Sequence, residues 1–179
     1  MRASLFIAAL LLFGVVGAGC GGDTDLSACL LPDPADRLAL RQEAYIKASA
    51  QASKESIFGT PLALSADGRT LAVAARDDPS GALGVSADPA DRSQPGAGAV
   101  YIFVRDGSGW RQQAYLKPSA KKALVGFGEA LGLSRTGDTL IVGVPDASSA
   151  VVFQRVGATW SEETFLRSSR AAGAASFGT

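Results

Sequence analysis

The chain has 179 residues, a length that allows one ordinary domain, with 17 basic against 17 acidic side chains and no histidine. Balanced charge without a basic block argues against a nucleic-acid partner, which needs a basic face to release counterions from phosphates. The lack of histidine excludes Ser-His-Asp and Cys-His catalysis and removes a principal zinc ligand, while 21 glycines suit many tight turns between short strands.

The first residues read as an address. A short basic end, Met1-Arg2, precedes an almost wholly apolar run over 5–16 and the small residues Gly17-Ala18-Gly19. A run this short, closed by small residues, is a secretory signal peptide (1–19) rather than a membrane span. Cys20, directly after those small residues, resembles the lipobox cysteine of bacterial lipoproteins, although that family usually carries Leu where this chain has Gly17. The resemblance implies that Cys20 begins the mature chain with acyl groups on its thiol and amine. Each buried methylene then adds about 0.8 kcal/mol of membrane affinity. The plainer alternative is ordinary cleavage near Gly19, which leaves Cys20 a thiol. Gly21 stands where an inner-membrane retention signal would have Asp, so the expected location is the bacterial cell envelope, at the outer membrane or cell surface. Lipidation leaves Cys29 unpaired, with no basic neighbour to activate it. The stretch 20–40, rich in Gly, Asp and Pro, reads as a flexible tether behind the anchor.

From residue 41 the chain repeats itself. RQEAYIKAS (41–49) returns as RQQAYLKPS (111–119), and WRQQAYLKPS (110–119) returns as WSEETFLRSS (160–169). Each copy is followed by a Phe-Gly pair, at Phe58-Gly59, Phe127-Gly128 and Phe177-Gly178. After the first two pairs comes a matching hairpin, LALSADGRTLAVAA (62–75) against LGLSRTGDTLIVGV (131–144). A fixed order of strand-like pieces is the mark of a repeat architecture.

Each repeat holds four strand candidates. The first follows Phe-Gly, at 61–65 and 129–134. The second follows a Gly-bearing turn, at 70–75 and 139–144. The third is the apolar run AVYIFV (99–104), matched by AVVFQ (150–154), and suits a strand buried on both faces. The fourth is 110–117, matched by 160–167. Trp110 and Trp160 recur at one repeat position, which packing between repeats explains without a binding role.

Four antiparallel strands per repeat describe a β-propeller blade. The predicted class is therefore all-β: a partial propeller over 41–179, with an orphan strand (41–49), blades at 58–117 and 127–167, and the start of a third blade at 177–179. Two blades cannot close a ring, so the sequence reads as a truncated piece of a longer protein. The repeats differ by one insertion, 76–98, against the short PDASS (145–149). Its Gly, Pro, Ser and Asp content predicts a solvated surface loop that buries no core.

These residues resemble the FG-GAP repeats of integrin α-subunit propellers, and more closely a class of secreted bacterial FG-GAP proteins. The resemblance is carried by Phe127-Gly128, then Gly143-Val144-Pro145 where the family has Gly-Ala-Pro, and by the third strand after Gly98. Phe58-Gly59 with Ala74-Ala75-Arg76 is a weaker copy. The resemblance implies a propeller engaged in adhesion or ligand recognition, with a protein or glycan as partner and a calcium loop between the Phe-Gly and Gly-Ala-Pro strands. Calcium takes about six to eight oxygen ligands. Here that loop is reduced to the turns at 65–70 and 134–139, with a single Asp in each (Asp67, Asp138), so no metal site and no cofactor is carried over. Asp77, Asp78, Asp88 and Asp91 in the insertion match no compact calcium loop either. The 65–70 turn also resembles the Asp-box of sialidase propellers, whose role is structural.

No acidic pair converges on catalysis, so no catalytic residue is assigned and the expected function is not enzymatic. The reading is a lipid-anchored extracytoplasmic propeller module for binding, adhesion or surface scaffolding. The alternative is a piece of a propeller hydrolase whose catalytic carboxylates lie in further blades.

Overall fold

The computed structural model describes residues 42–49, 57–119, 126–145, 148–167 and 169. The chain divides after Tyr45, and all eight strands lie in the body 46–179. They form two four-stranded antiparallel sheets, each in up-and-down order. The first contains β1 (Phe58–Leu64), β2 (Thr70–Ala75), β3 (Ala99–Asp106) and β4 (Gly109–Leu116). The second contains β5 (Leu131–Leu133), β6 (Thr139–Val144), β7 (Ser149–Val156) and β8 (Thr159–Arg167). No α-helix occurs among the described residues, so the all-β expectation holds at this level.

Register makes the two sheets equivalent residue by residue. Ala75 pairs with Ala99 in the first and Val144 with Ser149 in the second, which aligns β3 with β7 through their common Phe103 and Phe153. Both sheets carry a bulge at the same place in their last strand, where Gln113 and Glu163 are the extra residues. Equivalent turns close the first hairpins. Ser65 Oγ accepts from Thr70 N at 2.9 Å, and Ser134 Oγ accepts from Thr139 N at 3.1 Å.

Each sheet has a front face and a back face. The front of the first sheet presents Phe58, Leu71, Val73, Tyr101, Phe103 and Tyr115. The repeat-equivalent front of the second presents Phe127, Leu140, Val142, Val151, Phe153 and Phe165. The back of the first sheet, formed by Ala72, Val100, Ile102, Ala114 and Leu116, packs in one cluster with the front of the second. Alternation along the strands sorts these sets, since successive side chains point to opposite faces. Burying each Val, Leu, Ile or Phe contributes roughly 1.5–3 kcal/mol, so this joint is a principal source of stability. Ala72, Val100, Ile102, Leu116, Phe127, Val142 and Phe153 are all fully buried in it.

Two sequence expectations need correction. The stretch 42–49 is not a strand of either sheet. Its side chains do alternate in exposure, and Ile46 and Ala48 pack on the front face of the first sheet. The apolar periodicity is met by that seat without membership in a sheet. The insertion 76–98, expected as a solvated loop, is tied into the fold. Asp78 and Ser80 are buried, and Val85 bridges to Leu116. Ser86 N donates to Tyr115 O at 2.8 Å, and Lys117 N donates to Gly84 O at 3.1 Å, so 84–86 runs alongside the end of β4. A Gly- and Pro-rich segment forms little core of its own, yet its carboxylates and backbone can be fixed by partners that the sheet supplies.

Candidate functional site

The second Phe-Gly pair acts at the joint. Phe127 is completely buried and meets Phe153 edge-on, with ring centroids 6.1 Å apart. Its backbone N–H donates to Ala97 O of the preceding repeat at 3.2 Å, while Gly128 N donates to Gly143 O at 3.1 Å. The two halves of the repeat signature, Phe127-Gly128 and Gly143-Val144-Pro145, are thus brought together. A Cβ on Gly128, whose φ is +98°, would lie 3.2 Å from Ala74 Cβ, so the glycine allows a close approach to the first sheet. Gly98 is tighter still: at φ +79° a Cβ there would stand 2.0 Å from Phe127 O. Phe58-Gly59 opens β1, with Phe58 edge-on to Tyr101 and Phe103. These residues organise packing. Cys20, Phe177 and Gly178 lie outside the described residues.

The turn carboxylates are engaged locally. Asp67 Oδ1 accepts from Ser65 Oγ at 2.6 Å and from Arg69 N at 3.0 Å. Asp138 Oδ1 accepts from Ser134 Oγ, Thr136 Oγ1 and Thr139 Oγ1 at 2.8, 2.7 and 3.2 Å. Hydroxyl hydrogen bonds, from Ser65 in one turn and chiefly Thr136 in the other, hold both carboxyls below the usual aspartate range. Donors aimed at these oxygens compete with a cation and serve turn closure. Glu129, after the second Phe-Gly, pairs with Arg76 at 3.0 Å. Among the described residues, no three acidic or cysteine side chains gather around a common point that could hold a metal ion.

The constellation that sequence reasoning missed lies on the front of the first sheet, where the insertion folds over Tyr101 and Tyr115. Asp78 Oδ1 accepts from Tyr115 Oη at 2.8 Å and from Ser80 N at 3.0 Å, and Asp78 Oδ2 accepts from Tyr101 Oη at 3.2 Å. The two tyrosine rings meet edge-on at 4.9 Å. Lys117 Nζ donates to Gly98 O at 2.5 Å, at the end of the insertion. Asp78, Ser80, Tyr101, Tyr115 and Lys117 are each less than 5% exposed. Burial pulls the Lys117 ammonium down to about 8, against the opposing charges of Asp78 and Asp91. Burial, then the Asp78 charge, drives both tyrosine hydroxyls well above their ordinary range.

Such a cluster resembles reactive machinery in composition, but its groups are closed from solvent and consumed by one another. Its chemistry is anchorage: a buried carboxylate satisfied by two hydroxyls and an amide fixes the insertion to the sheet. A sequence signal was available. The long-insertion repeat has Tyr101, Tyr115 and Lys117 where the short-loop repeat has Val151, Phe165 and Arg167. Polar heads appear only where there is a loop carboxylate to receive them.

The chain matches no known protein-family description, no curated protein and no solved structure.

Proposed function

We propose that the chain is a lipid-anchored extracytoplasmic module of the FG-GAP propeller kind, held to the bacterial envelope through Cys20 and serving in binding, adhesion or surface scaffolding. The observation that carries this reading is the mode of stacking. Two sequence repeats give two up-and-down four-stranded sheets, and the front of one lies on the back of the other with Phe127 at the joint. Stacked units of this design extend a surface by repetition, which suits recognition of a protein or glycan. The buried Asp78 carboxylate and the Tyr101 and Tyr115 hydroxyls are engaged in anchorage, which supports a role in binding over one in catalysis. The lipobox-like Gly17-Ala18-Gly19-Cys20 supports the anchor.

The test compares the chain with Cys20→Ala in a bacterial host fed a labelled fatty acid. Label in the membrane fraction for the native chain, and its loss for the variant, is the expected result. Equal membrane retention of both would overturn the anchor. Cells expressing the native chain should adhere to an immobilised protein or glycan panel above cells expressing Cys20→Ala; equal adhesion across the panel would remove the binding role.

A further inference from the structure

The back face of the second sheet is apolar and uncovered among the described residues. Ile141 and Leu166 are 40% and 41% exposed, and Val152, paired with Ile141, lies between them and is half-buried. The repeat shows what this face is built for. Ile141, Val152 and Leu166 are equivalent to Ala72, Ile102 and Leu116, each fully buried beneath the front of the following sheet. Ile141 is larger than Ala72, Val152 is smaller than Ile102 and Leu166 matches Leu116, so the face keeps its apolar character where it lacks a cover.

We propose that this back face is the seat of the Phe177-Gly178 segment, docked there as Phe127-Gly128 docks on the back of the first sheet. The inference rests on the stacking part of the functional reading, not on the lipid anchor or the ligand. Reach supports it, because the same number of residues separates Arg167 from Phe177 as separates Lys117 from Phe127. The left-handed backbone of the corner that receives the pair is also kept. Ser148, equivalent to Gly98, holds a positive φ of 45°, unusual for a residue with a side chain. One detail differs: Gly98 leaves room for Phe127 O, whereas Ser148 already carries a Cβ, so this docking requires the Phe177 carbonyl to lie farther from the corner than Phe127 O does. The occupant is thus a piece of this chain, opening a further unit of the same design, rather than a second copy.

Nuclear Overhauser contacts in the full chain, with labelled Ile, Leu and Val methyls, test this directly. Contacts from the Phe177 ring to Ile141, Val152 and Leu166 methyls are expected, and Phe177→Ala should abolish them while lowering Tm by about 4 °C. Phe177→Leu should recover most of that loss. Absence of the contacts, or an unchanged Tm, overturns the proposal. So do contacts seen only between labelled and unlabelled copies in a mixed sample, which would assign the face to a dimer. Membrane release of Cys20→Ala tests the anchor independently, so either result can fail without the other.

Discussion

The indole N–H of Trp160 in the second sheet donates to Gln113 Oε1 in the first at 3.0 Å. Gln113 is the extra residue of the β4 bulge, and the bulge is what turns its amide away from the ladder and across the joint. The same oxygen accepts from Arg155 at 3.3 Å, and the Arg155 guanidinium stands over the Trp160 ring at 5.5 Å. A buried indole is thereby satisfied by the neighbouring sheet. Gln113→Ala leaves that donor unpaired and should destabilise the fold by about 1–3 kcal/mol in urea titrations, with a shift in Trp emission. An unchanged midpoint would remove the bulge from the joint's energetics.

The Asp78 anchor makes a second prediction. Asp78→Ala orphans two buried tyrosine hydroxyls and frees the insertion, at a cost of about 3 kcal/mol. Trypsin should then cut after Arg92, inside the insertion, at least about tenfold faster than in the native chain, as expected for a segment with a lower local opening energy. Cleavage at the native rate would show that other contacts hold the loop.

Lys117 and the two tyrosines of the same cluster set opposite pH slopes. Lys117 is held near 8 in the fold against an ordinary 10.5, so between those values the unfolded chain binds the extra proton and stability rises with pH. Over the full window the gain is about 3 kcal/mol, and below pH 8 the penalty for a buried charge is fully present. Tyr101 and Tyr115 act the other way. Their folded hydroxyls stay protonated above their ordinary value of 10.0, so stability falls once the unfolded tyrosines ionise. Denaturation across pH 7–11 should therefore show a maximum near pH 10, and Lys117→Met should flatten the rising limb.

Gly98 gives the sharpest steric test. Gly98→Ala meets both an unfavourable φ and the Phe127 carbonyl, and should cost about 3 kcal/mol by thermal denaturation. Gly107→Ala, where a Cβ meets nothing within 4 Å, is the control and should stay within about 0.5 kcal/mol.

The repeat was legible because its signals are local. The turns at Gly68 and Gly137 fix where β2 and β6 begin, and both strands match their expected bounds of 70–75 and 139–144. β1 begins at Phe58, ahead of the expected 61–65, because Phe58 already pairs with Ala75 across the hairpin. β3 and β7 run on to Asp106 and Val156, since their tight turns let the ladder continue to the corner. What sequence could not yield was the partner of a lone acid. Asp78 sits in a Pro- and Gly-rich run that has every mark of solvation. Two of the three hydrogen bonds it accepts come from hydroxyls 23 and 37 positions away. Long-range satisfaction of a buried carboxylate leaves no local pattern. The expected strand at 41–49 failed for a related reason: alternation reports a half-buried face, and Ile46 and Ala48 find one without entering a sheet.

The run 84–86 along the end of β4 also has a bearing on self-association. An unpaired sheet edge is a template onto which another chain can add. By pairing Gly84 and Ser86 with Lys117 and Tyr115, the insertion blunts that edge of the first sheet. In the second sheet the loop is short and β8 is the terminal strand, with no ladder partner on its outer side among the described residues. Fibril or ladder growth by strand addition would on that side recruit β8 rather than β4.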